Sequence, residues 1–155
     1  MWNQVMESQK DFFYEVGGRR KAREIFGLFF NGFFLAHELG HAMQSATQTW
    51  ESSLYQNEYF ANTVAIMYWR KDGRLKNLRK CYRYARLMMR QLPDPVPEGE
   101  DQIKYFNDHY QELGADPYKY GYYQFAQFVK IYEDEKLETF DVFVSRFLNG
   151  NASQP

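Results

Sequence analysis

Residues 33–44 read FFLAHELGHAMQ, and two of the chain's three histidines fall in this otherwise apolar run. Around it, Phe26, Phe30, Phe33, His37, His41 and Gln44 recur at steps of three and four, the spacing of one helix face, which predicts a helix from about residue 20 to residue 46. On such a helix His37 and His41 stand on one face about 6 Å apart along the axis, near enough to converge on a single ion. Glu38 lies roughly 100° further round, so it cannot share their bonding direction but can reach a water beside them.

The same periodicity runs through the rest of the chain. Residues 2–15 form a first predicted helix, ended by Gly17-Gly18, and another covers residues 55–70. After Asp72-Gly73, Leu75, Leu78, Tyr82, Ala85, Met89 and Leu92 mark one helical face, and LPDPVPEGED at 92–101 is a loop. Ile103, Phe106, Tyr110 and Leu113 predict a helix closed by Gly114. Asp116-Pro117 starts the next, with Asp as cap and Pro at the first helical position. Its expected stripe is Tyr122, Phe125, Val129 and Tyr132, and Phe140, Phe143, Val144, Phe147 and Leu148 mark a last helix. No segment alternates as a half-buried strand would, so the fold class is mainly α, with little or no β-sheet.

Composition bounds the rest. A chain of 155 residues, 45% hydrophobic and 19% aromatic, suffices for one core and is read as a single domain, 1–155. A net charge of −1 argues against a polyelectrolyte binder as a whole, and the lone Cys81 excludes an internal disulfide. The stretch 25–43 approaches a membrane span in apolar content, but Asn31, His37, Glu38 and His41 interrupt it, so a buried helix is expected and no membrane span. The polar start shows no secretory leader, which gives a cytoplasmic expectation. Residues 70–90 carry nine Lys or Arg against one Asp, and the stretch to Asp116 carries seven acids and one Lys. Without a stacking pattern or a recognised binding fold, a solvated face neutralised by that acidic stretch is expected rather than a nucleic-acid interface.

His37-Glu38-Leu39-Gly40-His41 is an HExxH motif. Zinc held by two imidazoles at about 2.0–2.1 Å with an open coordination position lowers the pKa of a bound water to around 7, and a neighbouring carboxylate takes its proton as the water attacks a carbonyl. The flanking Ala36, Leu39, Gly40, Ala42 and Met43 are uncharged and would keep such a site dry. A third protein ligand is needed. Gln44 and Thr47 stand where the metzincin extension requires Gly and His, which excludes that class. Glu58, within NEYFANTVA at 57–65, lies on the next predicted helix with the small Ala61, Asn62 and Ala65 on its face. Glu51, in TWESSL, is the competitor, and Glu58 is preferred because ligands are best held on rigid elements.

Over residues 33–65 the chain resembles the gluzincins, zinc peptidases with HExxH on one helix and a glutamate ligand on the next. The spacing of Glu58, Ala61 and Asn62 is most similar to the ImmA/IrrE-type metallopeptidases. The resemblance implies a zincin-like helical fold, one Zn²⁺ per chain held by His37, His41 and Glu58, Glu38 as general base, and Asn62 as a hydrogen-bond partner orienting a ligand histidine. It implies a peptide or protein substrate hydrolysed by a metal-activated water. The sequence from Tyr118 to Gly121 looks like the YxxG element of gluzincin aminopeptidases, which makes Tyr118 the first candidate for holding the oxyanion. His109, by likeness to a C-terminal histidine of thermolysin-like enzymes, is the second. The rival expectation is a zinc-stabilised, catalytically inactive domain binding a protein or anionic partner. Retention of Glu38, for which a structural site has no use, favours the enzyme.

Overall fold

The computed structural model describes residues 2–151. A 3₁₀ turn at Trp2–Gln4 precedes α1 (Glu7–Gly17) and α2 (Ala22–Leu28), and a π-helical turn at Phe29–Phe33 leads into α3 (Phe34–Thr47). Then follow α4 (Leu54–Lys71), α5 (Leu75–Met89), α6 (Gln102–Asp108), α7 (Tyr110–Ala115), α8 (Pro117–Tyr132) and α9 (Phe140–Asn151). No strand occurs among the described residues, as the mainly α expectation requires. None of their helices is long and apolar enough to cross a membrane.

Helix α4 is the axis of the molecule, with α3, α5, α6, α8 and α9 all packed on it. Ser53 caps it by accepting from the Gln56 N–H, and Arg70 and Lys71 occupy its last turn, where cations suit the helix dipole. Its contact with α3 is made by the smallest residues: a Cβ added to Gly40 would lie 2.6 Å from Ala61 Cα. Close approach of these two backbones brings the HExxH helix onto the Glu58 helix. On the other side α8 lies between α4 and α5, capped by Asp116, which accepts from the N–H groups of Tyr118 and Lys119. An aromatic core joins the layers, with Phe33 packed edge-on against both Trp69 and Phe128, and Phe29 against Phe125.

Several expected boundaries and faces shift. The first helix starts at Glu7 rather than residue 2, after the chain turns at Val5 and Met6. The helix over 20–46 runs without a break from Ala22 to Thr47 but holds the π turn, whose extra residue rotates everything before it. Phe29 and Phe33 are therefore 1% exposed, while Phe30 is 41% exposed. The helix expected from Ile103 to Gly114 breaks at His109, where φ −116° and ψ 17° leave the helical region. On α5 the buried face is Leu78, Cys81, Ala85 and Met88, whereas Leu75 is exposed. On α8 it is Tyr123, Gln124, Phe125, Gln127, Phe128 and Ile131, because that helix is covered on two flanks.

The acidic stretch does not neutralise the basic helix. Among the described residues, α5 and its entry pair with Asp72 (from Arg74), with Glu24 (from Lys80, 2.7 Å) and with Glu133 (from Arg86, 3.1 Å). The acids Asp108 and Glu112 instead take Lys104 and Lys119 from their own neighbourhood. Tertiary packing places α5 against α2 and α8, so its cations find the carboxylates at those edges.

Candidate metal centre

Helices α3 and α4 bring His37, His41 and Glu58 together, with one ligand atom from each within 4.8 Å of the others. His37 Nε2 lies 3.4 Å from Glu58 Oε2, and His41 Nε2 lies 3.8 Å from Glu58 Oε1. A tetrahedral ion with bonds of about 2.0–2.1 Å separates its ligand atoms by about 3.3 Å, so the 3.4 Å separation matches a shared ion and the 3.8 Å one is somewhat wider. Glu58 and His37 are buried, at 6% and 5% exposure.

Hydrogen bonds fix which ring nitrogens face Glu58. His37 Nδ1 meets Asn62 Oδ1 at 2.9 Å. The orientation of Asn62 follows from its neighbours, because Asn62 Nδ2 donates to Gln124 Oε1 (3.0 Å) and Gln127 Oε1 (2.9 Å). Those glutamines are themselves fixed by partners that only accept: Gln124 Nε2 donates to Glu58 Oε2 at 2.8 Å, and Gln127 Nε2 donates to the Tyr55 carbonyl at 3.2 Å. Asn62 Oδ1 is thus the acceptor, His37 carries its proton on Nδ1, and the Nε2 lone pair points at Glu58.

An independent chain orients His41. Its Nδ1 meets Gln44 Oε1 at 3.1 Å, and Gln44 Nε2 donates to Asn57 Oδ1 at 2.8 Å. Asn57 is held by the backbone of Glu51, accepting its N–H and donating to its carbonyl, each at 2.9 Å. His41 therefore also presents an Nε2 lone pair. Two imidazole lone pairs facing a carboxylate is a repulsive arrangement unless a cation stands between them, and these donors are those that zinc takes. Burial pushes the Glu58 pKa up, but hydrogen bonding and charge from His37, with Gln124 and His41, outweigh it and hold the carboxyl at about 2.

Glu51 contributes only backbone groups to this network, and its side chain is exposed. Trp50 stacks on the His41 ring at 5.4 Å. The left-handed Gln48 (φ 57°) closes α3 and turns the chain towards that contact. Glu38 is exposed, one position from His37, and with it lines a cavity of about 540 Å³ between α1, the π turn, α3 and α8.

The two oxyanion candidates from the sequence lie elsewhere. Tyr118 donates its hydroxyl to Glu15 and packs edge-on against Phe12. His109 stacks on Tyr105 and its Nδ1 meets the Tyr105 carbonyl at 3.0 Å. The hydroxyl that reaches the cluster belongs to Tyr110, which donates to Glu58 Oε1 at 3.0 Å, and the Tyr120 phenol lies close enough to Glu58 and Tyr110 to feel both electrostatically. Burial first, then the Glu58 charge, raises both phenols above the ordinary tyrosine range, so both remain protonated donors. Tyr120 also lines the cavity beside Glu38. It stands two residues after Tyr118, within the same YxxG stretch. Gln124 and Gln127 were readable in principle as polar residues three apart in an apolar helix. Their partners lie more than sixty residues away.

Compared with protein-family models, with curated proteins and with solved structures, the chain matches none.

Proposed function

We propose that this chain is a zinc-dependent peptidase in which His37, His41 and Glu58 hold the ion and Glu38 is the general base. One observation carries the reading: both Nε2 lone pairs and the Glu58 carboxylate converge on one point, with each Nδ1 locked by its own hydrogen-bond chain. Zinc bound there would supply Lewis acidity, acidifying a water and polarising a peptide carbonyl. The chain's own groups do the rest. Glu38, exposed at the cavity, accepts the proton of the attacking water and delivers it to the departing amine. Tyr120 donates its hydroxyl to the carbonyl oxygen as negative charge develops there. Asn62 and Gln44 hold the imidazoles in one tautomer, so no reorganisation is needed during the reaction. A structural zinc site would usually be closed by four Cys or His ligands, whereas this donor set leaves a position for water.

The test is a peptide-library digest by zinc-loaded protein and its Glu38→Gln variant. The amide keeps the shape but cannot accept the proton, so cleavage should fall by about 10²–10⁴-fold with zinc content unchanged. A Gln variant cleaving at the wild-type rate sinks the role of Glu38, and wild-type protein cleaving no peptide sinks the peptidase reading.

A further inference from the structure

The cavity beside Glu38 and His37 is about 540 Å³, inside the ~300–1,000 Å³ range of pockets that seat small organic groups. Its walls are mostly rings and aliphatic chains: Phe12, Phe13, Phe30, Phe34, Leu35 and Phe125. The polar groups on it gather on the metal-bearing helix and its neighbour, as His37 and Glu38 of α3 and Tyr120 and Gln124 of α8, apart from Ser8 and Gln9 of α1. Among the described residues, no Lys, Arg or Asp lines it.

We infer that this cavity seats one large apolar side chain of a peptide lying across Glu38. On this inference, which rests on the peptidase reading above, the site recognises its substrate through that side chain rather than by pairing with the peptide backbone. The lining elements are helical, and the backbone N–H and C=O groups of a helix interior are already paired, so they offer no edge for an added strand. An acidic substrate side chain would meet Glu38 with no counter-ion, and a basic one would lose its hydration against aromatic walls. Gly121 supports the assignment. It sits inside α8, where glycine is unfavourable, yet a Cβ there would come within 3.0 Å of Phe12 and 3.7 Å of Phe125, two rings of the cavity wall. The missing side chain keeps the cavity open.

The experiment uses the zinc-loaded Glu38→Gln protein, so that binding is read without turnover. Fluorescently labelled hexapeptides of Gly and Ala carrying a single Phe, Leu, Ala or Asp at the central position are titrated by anisotropy. The Phe peptide should bind about 10- to 100-fold tighter than the Ala or Asp peptide, the gain expected from burying one aromatic side chain. N-methylation of its backbone amides away from the centre should change affinity less than about three-fold, since no backbone hydrogen bond would be lost. Gly121→Leu fills the cavity and should erase the Phe preference. Leu35→Asp, at a 66% exposed position, puts a carboxylate on the wall with little risk to folding and should weaken the Phe peptide at least several-fold. Equal affinity for the Phe and Asp peptides, or a large loss on N-methylation, overturns the inference and leaves cleavage by wild-type protein untouched. Phe-selective binding without cleavage of any peptide by wild-type protein upholds it and overturns the peptidase reading.

Discussion

Replacing Gly40 by Ala tests whether the centre depends on the close approach of α3 to α4. The new Cβ would stand 2.6 Å from Ala61 Cα, 3.1 Å from Ala61 Cβ and 3.3 Å from the Ala61 carbonyl oxygen. Carbon atoms rest at about 3.5–4.0 Å, so the helices must part locally by about 1 Å, and backbone cannot swing aside as a long side chain would. Overpacking of this kind costs about 1–3 kcal/mol, while exchanging glycine for alanine inside a helix returns about 1 kcal/mol. With backbone as the obstacle, a net loss of about 1–2 kcal/mol is expected. The larger effect falls on the metal. His37 and His41 flank Gly40 on α3, and Glu58 stands one turn before Ala61, so parting the helices lengthens the 3.4 Å and 3.8 Å separations across the site. Zinc sites tolerate about 0.2 Å in bond length, and affinity should drop by about ten-fold or more. Gly27→Ala is the control, because a Cβ added there in α2 would meet nothing within 4 Å, and it should be neutral or stabilising. Urea melts of metal-free protein and a chelator competition titration read the two quantities. A Gly40→Ala protein as stable as Gly27→Ala, with unaltered zinc affinity, would refute the reasoning.

Three further outcomes are expected. Glu58→Ala should abolish stoichiometric zinc retention in metal analysis, whereas Glu51→Ala should leave it intact, because Glu51 anchors Asn57 through backbone atoms alone; unchanged metal in Glu58→Ala would remove Glu58 from the ligand set. Tyr120→Phe should lower kcat by about 10²–10³-fold with zinc retained, and Tyr118→Phe and His109→Ala should stay near wild type; the opposite ranking would relocate the oxyanion donor. Metal-free protein should lose stability as pH falls from 4.5, the ordinary value for Glu58, towards its folded value of about 2. The sign follows from a depressed carboxylate pKa: its contribution is complete above 4.5 and vanishes below about 2, on the order of 3 kcal/mol in all. Urea melts between pH 5 and pH 2 on wild type and Glu58→Gln read it directly, and a flat difference between them across that range would contradict it.

Most of the helices were legible in the sequence because helical periodicity is a local property: His37, His41 and Gln44 recur at three and four whatever lies opposite them. The three side chains of the candidate metal cluster were legible for the same reason on α3, and on α4 because small residues around Glu58 signal a close helix contact. Asp116-Pro117 marked a helix start through capping chemistry that involves only its own next turn. The π turn was not legible, since Phe26, Phe30 and Phe33 fit an unbroken helix equally well, and the burial of Phe29 instead of Phe30 depends on what Phe125 and Phe128 supply. Tertiary structure alone placed Tyr120 near Glu58 and Tyr118 against Glu15, two hydroxyls in one short stretch, because α8 packs against α4 along one flank and against α1 along another. The tautomers of both histidines likewise depend on Gln124, Gln127 and Asn57, residues brought in by packing rather than by spacing. Local sequence sets which face of a helix carries chemistry, and only the packing of distant helices sets which groups meet that face.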